Sequence, residues 1–221
     1  MTACAQPHPL VSELVCARLA GHDGLHGFGP EHTTTSTETK DTDPMSELPA
    51  NATTWTTRHT DRAQWGPGPW DNEPDKVSWT DAATGRPCLI HRGPSGALCG
   101  YVAVDPRHPL HGADYGTAED TCGVEVHGGL TYADSCADVE DESTGICHVP
   151  EPGRPADVWW FGFDCAHGGD VAPAHRSAFR RAGIDESPYE WLAVYRDVGY
   201  VVAEVQRLAR QLCTPETDDP R

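Results

Sequence analysis

Positive charge is scarce in this 221-residue chain. Lys and Arg total 16 against 34 Asp and Glu, for a formal net charge of -18. A phosphate backbone needs neutralising cations, so duplex nucleic acid is not an expected partner. Lysine is nearly missing: Lys40 and Lys76 stand against 14 arginines. That bias is common in GC-rich genomes and says little about mechanism. Apolar residues make up 38% of the chain, below the usual globular range, so part of it must lie outside any core. No apolar run reaches the roughly 18 residues of a membrane span. The N-terminus has no basic start followed by an apolar stretch, so no secretory signal is expected. The nine cysteines are an odd number, which argues against a secreted disulfide framework. Reduced thiols in a cytoplasmic protein are the expectation. Also missing are the phosphate-binding Gly-x4-Gly-Lys-Ser/Thr loop, Gly-x-Gly-x-x-Gly after a strand, His-Glu-x-x-His and Gly-x-Ser-x-Gly. P-loop enzymes, Rossmann dehydrogenases, zincins and α/β-hydrolases are thereby disfavoured.

What is present divides the chain into four parts. Residues 1–29 concentrate Cys4, His8, Cys16, His22 and His26. Residues 30–66 include the run Thr33-Thr34-Thr35-Ser36-Thr37 and have almost no apolar side chains. They cannot offset their own ordering entropy and read as a flexible linker. Residues 67–213 hold nearly all the large apolar side chains and form the main domain. Residues 214–221 are a polar tail.

The main domain carries strand patterns first. The run Pro87-Cys88-Leu89-Ile90-His91 and the run 97–104 flank Gly93-Pro94-Ser95-Gly96, which predicts a β-hairpin over 87–104. Trp79 belongs to a neighbouring strand signal. Val124–His127 and Leu130–Tyr132 flank Gly128-Gly129, where a bulge or close backbone approach is expected. The apolar run Val158–Cys165 has strand length and predicts a central strand. Val194, Val198, Val201, Val205, Leu208 and Leu212 repeat at helical spacing. Ser187-Pro188-Tyr189-Glu190 resembles a helix start. Gly199 weakens that helix by up to ~1 kcal/mol, so a start near Arg196 is the other option. The predicted fold is α+β: a mainly antiparallel sheet with a packed C-terminal helix, preceded by the small Cys/His module and the linker.

Cys4, Cys16, His22 and His26 follow a C-x11-C-x5-H-x3-H pattern. Two thiolates and two imidazoles suit tetrahedral zinc, and so short a segment lacks a core of its own. A structural zinc is therefore expected there, with His8 as a substitute ligand. The first spacing is longer than a usual knuckle, and an incidental cluster is the plainer alternative.

Two glycine-flanked segments of the main domain carry the other candidate chemistry. In Gly162–Asp170, Asp164, His167 and Asp170 are spaced by three and follow a strand into a Gly-rich turn. Such side chains can bind a divalent metal or act as general acid and base. His127 from the other segment would complete the cleft, with Tyr101 and Tyr132 as ligand-binding neighbours. The plainer reading is that both aspartates bond to turn amides and His167 packs at a strand end. His108 and His111 form a possible lid. Cys99, Cys136, Cys147 and Cys165 are a weaker second zinc set, with no short Cys-x2-Cys pair. Cys165 is a possible nucleophile, but its apolar strand favours an inert buried thiol.

Read in order, Trp70-Asp71-Asn72-Glu73-Pro74, Leu98-Cys99-Gly100-Tyr101-Val102, His108-Pro109, His127-Gly128-Gly129-Leu130-Thr131-Tyr132, Trp159–His167 and Tyr200-Val201 resemble a family of uncharacterised proteins from bacteriophages, prophages and actinobacterial genomes. The likeness spans about 70–212. It implies a phage or mobile-element origin and a cytoplasmic setting, and it brings no catalytic residue. The Cys/His segment resembles small zinc-knuckle additions on actinobacterial phage proteins.

Two classes of function follow. One is a small-ligand-binding or metal-dependent hydrolase-like domain using the His/Asp cleft, where a metal would activate water. The other is a non-catalytic acidic interaction protein that binds a host protein or mimics nucleic acid.

Overall fold

The Gly93–Gly96 turn sets the centre of the sheet. Gly96 takes a positive φ of 82°, and the Gly93 amide donates to the Ala97 carbonyl at 2.9 Å, closing the hairpin. A computed structural model describes residues 44–57, 61–136, 142–147, 157–184 and 193–212. The expected zinc ligands Cys4, Cys16, His22 and His26, the substitute His8 and the tail 214–221 lie outside these residues.

The fold is α+β. Six strands, β1 (Thr53–Trp55), β2 (Lys76–Thr80), β3 (Pro87–Arg92), β4 (Leu98–Val104), β5 (Tyr132–Ser135) and β6 (Trp159–Asp164), form one sheet in the order β1-β2-β3-β4-β6-β5. Every neighbouring pair is antiparallel. The Val158–Cys165 run supplies β6, inside the sheet as its apolar length predicts. The described helices are α1 (Tyr115–Cys122), α2 (Pro173–Arg181) and α3 (Val198–Gln211).

Strand alternation gives the sheet two different faces. Val77, Ile90, Leu98, Val102, Phe161 and Phe163 are buried against Val201, Val205 and Leu208 of α3. Leu89, Tyr101, Ala103 and Trp160 form a separate cluster on the opposite face. The helix sits close to β4 because Gly100 has no side chain. A Cβ there would lie 2.5 Å from Val205 Cγ2 and 2.6 Å from Phe163 Cζ.

Two expectations about the ends of the domain need correction. The linker was expected to run to residue 66, but β1 pairs with β2 and Trp65 is buried. A three-residue strand carries too little pattern to stand out among threonines; pairing with β2 is what orders it. The helix begins at Val198, where the Asp197 side chain accepts from the Tyr200 amide at 2.8 Å. This is the later of the two starts considered; Ser187–Glu190 lies outside the described residues. Val194 does not join the stripe: it bridges to Asp170 and is exposed. Gly199 faces the Glu47 side chain, which a Cβ would strike.

The cysteines are the larger correction. Cys136 and Cys147 form a disulfide, and Cys122 is also disulfide-bonded. The expectation of reduced thiols fails at these positions, and so does a zinc site using Cys136 and Cys147. Cys88, Cys99 and Cys165 are free thiols. Among the described residues, no helix is long and apolar enough to cross a membrane.

A buried ionic cluster locks the start of α3. Arg92, fully buried, donates to Glu73 at 2.9 Å, to Asp75 at 3.0 Å and to the Tyr195 hydroxyl at 2.8 Å. Glu73 in turn accepts from the Val198 amide at 2.9 Å, and Asp75 from the Thr57 amide at 2.8 Å. Arg62 reaches both Asp75 and the Trp70 carbonyl. Such a cluster is costly to break because each removed partner strands a buried charge. It fixes Tyr195, and the next residue, Arg196, belongs to the candidate site.

Candidate functional site

The four expected cleft residues do converge, at the end of the sheet where β6 leaves it. His127 sits in a turn whose backbone is tied down twice. Its amide donates to Glu204 at 2.9 Å, and the Leu130 amide donates to Glu119 at 2.7 Å. Between them, Gly128 takes φ 68° and Gly129 φ 83°. A Cβ on Gly128 would strike His167 Nε2, so glycine is needed for the two segments to meet.

The centre is a series of hydrogen bonds. His127 Nε2 lies 2.7 Å from Asp170 Oδ2, and His127 Nδ1 lies 2.9 Å from the Tyr200 hydroxyl. Arg196 Nε donates to Asp170 Oδ1 at 2.9 Å, and the His167 amide donates to Oδ2 at 3.1 Å. The Asp170 side chain is only 2% exposed and that of His127 12%. Burial pushes the Asp170 carboxyl up, but hydrogen bonds from Arg196 and His127 outweigh it and hold the carboxyl below its usual range. An ionised carboxylate only accepts, so Nε2 of His127 carries a proton. In the neutral ring Nδ1 is then the acceptor for the Tyr200 O–H. Burial, then the charge of Glu204, raises the Tyr200 hydroxyl, so it keeps its proton at neutral pH. The Arg196 guanidinium stacks 4.8 Å from the centre of the Tyr200 ring.

Asp164 and His167 form the more exposed rim. Asp164 accepts from the Thr131 hydroxyl and the Ala166 amide, each at 3.0 Å, and lies 3.8 Å from His167 Nε2. The His127 and His167 rings are 5.6 Å apart, centre to centre. Both aspartates thus cap turn amides, as the plainer reading holds, while Asp170 also orients His127.

Tyr101 and Tyr132 do not line this cleft. They meet edge to face at 5.4 Å on the second face of the sheet, in or against the cluster of Leu89 and Trp160. Tyr101 points away from α3 because residue parity along β4 alternates faces. His108 and His111 are not a lid over it: His108 is buried against Arg86 and the Leu110 amide, and His111 bonds the Asp157 carbonyl. Cys165 is buried, and burial first, with Asp170 next, raises its thiol far above the reactive range. It is not an activated nucleophile.

The described residues contain no group of three or more His, Cys, Asp or Glu placed to hold a metal ion. The reason is visible at the centre: both nitrogens of His127 and both oxygens of Asp170 already bond to protein groups. Tyr200, Arg196 and Glu204 escaped the sequence reading. Tyr200 and Glu204 are four apart on one helix face beside the apolar stripe, which was the available signal.

Fold and site together define an antiparallel α+β domain with a hydroxyl–imidazole–carboxylate series at one sheet end. No protein-family model, curated protein or solved structure matches the chain.

Proposed function

We propose that the domain binds a small ligand at the His127–Asp170 site and carries out acid–base or hydrolase-like chemistry there. One observation carries the reading: His127 is held between a buried carboxylate and the Tyr200 hydroxyl. Asp170 fixes the ring and its tautomer, and the ring addresses one hydroxyl. This is the arrangement by which an imidazole polarises a hydroxyl for proton transfer or attack. Arg196 keeps Asp170 ionised and braces the Tyr200 ring, and Asp164 and His167 form the approach. The metal-dependent version is less well supported, because the ligand atoms are engaged. A structural zinc at Cys4, Cys16, His22 and His26 is part of the proposal; elemental analysis of the full chain tests it.

The test uses chromogenic carboxylic and phosphate esters with EDTA present, on the full chain and on His127→Ala and Tyr200→Phe. Turnover above buffer, unchanged by EDTA and reduced about 10²-fold or more in both variants, supports the reading. Turnover that needs added metal restores the metal-dependent version. No turnover, together with no stabilising hit in a small-molecule thermal-shift screen, overturns it.

The net charge of -18 favours a second reading, an acidic interaction protein that binds a host protein or mimics nucleic acid. A phage or mobile-element origin and a cytoplasmic setting are inferred from the motif resemblance. The disulfides count against that compartment unless they serve a redox purpose, since cytosolic thiols are kept reduced.

A further inference from the structure

Donors and acceptors are unevenly used at the His127–Asp170 site. Asp170 Oδ1 accepts from Arg196, and Oδ2 accepts from His127 and from the His167 amide. Asp164 accepts from the Ala166 amide on one oxygen and from the Thr131 hydroxyl on the other. Glu204 accepts from the His127 amide, and its second oxygen lies 3.6 Å from Arg207 Nη1. Each oxygen of these three carboxylates therefore already faces a donor. Arg196 does not match this. Its guanidinium is a fork of N–H donors, and among the described residues only Nε has a hydrogen-bond partner. Nη1 and Nη2 are left over, on a side chain that is 27% exposed. The ring of His167, 5.6 Å from that of His127, is also uncommitted, since its Nε2 has no hydrogen-bond partner among the described residues. What the site lacks is an acceptor, and an arginine is best matched by one that carries negative charge.

Arg196 is also held still. An exposed arginine ordinarily loses rotamer freedom when a ligand binds it. Here Nε is tied to the buried Asp170 carboxylate, and the guanidinium stacks 4.8 Å from the centre of the Tyr200 ring. The preceding residue, Tyr195, is locked by hydrogen bonds with Arg92 and Glu73. That freedom is already lost on folding, and the outer edge of the guanidinium is fixed beside the ring whose hydroxyl bonds to His127.

We infer that the site takes a small ligand bearing an oxyanion, a phosphoryl or carboxylate group, and that Arg196 is the residue that selects it. The Nη1–Nη2 edge matches two oxygens of such a group, each accepting one N–H. Tyr200 keeps an oxygen lone pair while its O–H is given to His127, so a group seated on Arg196 is placed beside that hydroxyl. Because this rests on the ligand-binding reading above, it narrows the substrates to esters that carry a negative group. The net charge of -18 opposes an anion only at a distance, where salt near 0.1 M screens it over roughly 10 Å. Arg196 acts at contact.

Protection from a guanidinium reagent reads this on the unaltered protein. The full chain is treated with phenylglyoxal, and adducts at Arg196 and at Arg107, whose side chain is 94% exposed, are quantified by mass spectrometry. Phenylphosphonate and benzoate are the anionic probes, and benzamide is the neutral one. At an anion concentration about ten times its Kd, Arg196 modification should slow about tenfold. Arg107 should be unchanged, and benzamide should have no effect. In calorimetric titration, Arg196→Lys should bind phenylphosphonate about tenfold or more weakly, because a point charge replaces the fork. Arg196 should still be protected in Tyr200→Phe, which separates binding from chemistry. Equal protection of Arg196 and Arg107, protection by benzamide as strong as by the anions, or no protection overturns the inference. So does an Arg196 that the reagent does not modify, since its outer edge is then not open. Protection without turnover of any ester removes the proposed chemistry and leaves the anion site. Turnover of neutral esters without protection does the reverse.

Discussion

Replacing Asp170 with Asn tests the site with little change of shape. The carboxylate accepts from Arg196, from His127 and from the His167 amide, and it is almost wholly buried. An amide keeps one accepting oxygen. Its NH2 group must then face either the Arg196 Nε–H, or the His127 Nε2–H together with the His167 amide N–H, donor against donor. At least one charge-assisted bond is lost, a cost of about 1.5–3 kcal/mol. Where the NH2 faces the ring, His127 can restore one bond by moving its proton to Nδ1. Nδ1 then donates to Tyr200, reversing the bond on which the proposed chemistry depends. Urea unfolding should therefore show a loss of about 2 kcal/mol, with the m-value unchanged. Nitrogen chemical shifts of the His127 ring should report the change of tautomer. The difference between wild type and variant should also depend on pH. The folded carboxyl titrates below the ~3.9 of an unfolded aspartate. Its contribution is complete above that value and is lost as pH falls through the folded pKa. The stability gap should be constant from about pH 5 to 8 and narrow below about pH 4. A variant within about 0.5 kcal/mol of wild type, or a gap that grows in acid, would refute the assigned hydrogen bonds.

Three further substitutions probe the fold around the site. Arg92→Ala leaves buried Glu73 without its cation and Asp75 with Arg62 alone, and should cost about 3–5 kcal/mol in urea unfolding; a loss under 1 kcal/mol would contradict the pairing. Gly100→Ala places a methyl against Val205 and Phe163 and should cost about 1–3 kcal/mol by overpacking. A neutral result in thermal unfolding would mean that α3 does not lie that close. Gly128→Ala pays about 1–2 kcal/mol for its left-handed backbone and should also shift the His167 ring resonances, because its methyl meets that ring. Unmoved His167 signals would separate the two segments.

Much of the frame was legible because it is local. The hairpin over 87–104 follows from alternation broken by Gly93-Pro94-Ser95-Gly96, and β6 from an apolar run of strand length. The valine and leucine stripe placed α3, although its start stayed open until Asp197 was seen to cap it. His127, Asp164, His167 and Asp170 stood out because glycines put polar side chains at strand ends, where backbone and side chains can converge. Helices α1 and α2 were not anticipated. The first is short, and the second carries arginines on its exposed side in place of an apolar pattern.

What the chain determined by itself was therefore periodicity: which residues alternate, which repeat along a helix, and where glycine permits a turn. Tertiary structure decided the partners. Tyr200 meets His127 across 73 residues, and Glu73 meets the Val198 amide across 125. Tyr101 was assigned to the cleft and lies on the other side of the sheet. Cys136 and Cys147, two of an odd set of cysteines, are joined because the end of β5 and the 142–147 segment lie together. Periodicity reports the environment of a side chain through its immediate neighbours along the backbone. A hydrogen bond, a salt bridge or a disulfide depends on which distant segment is brought alongside, and that is set by how the whole sheet pairs and how the helix packs on it.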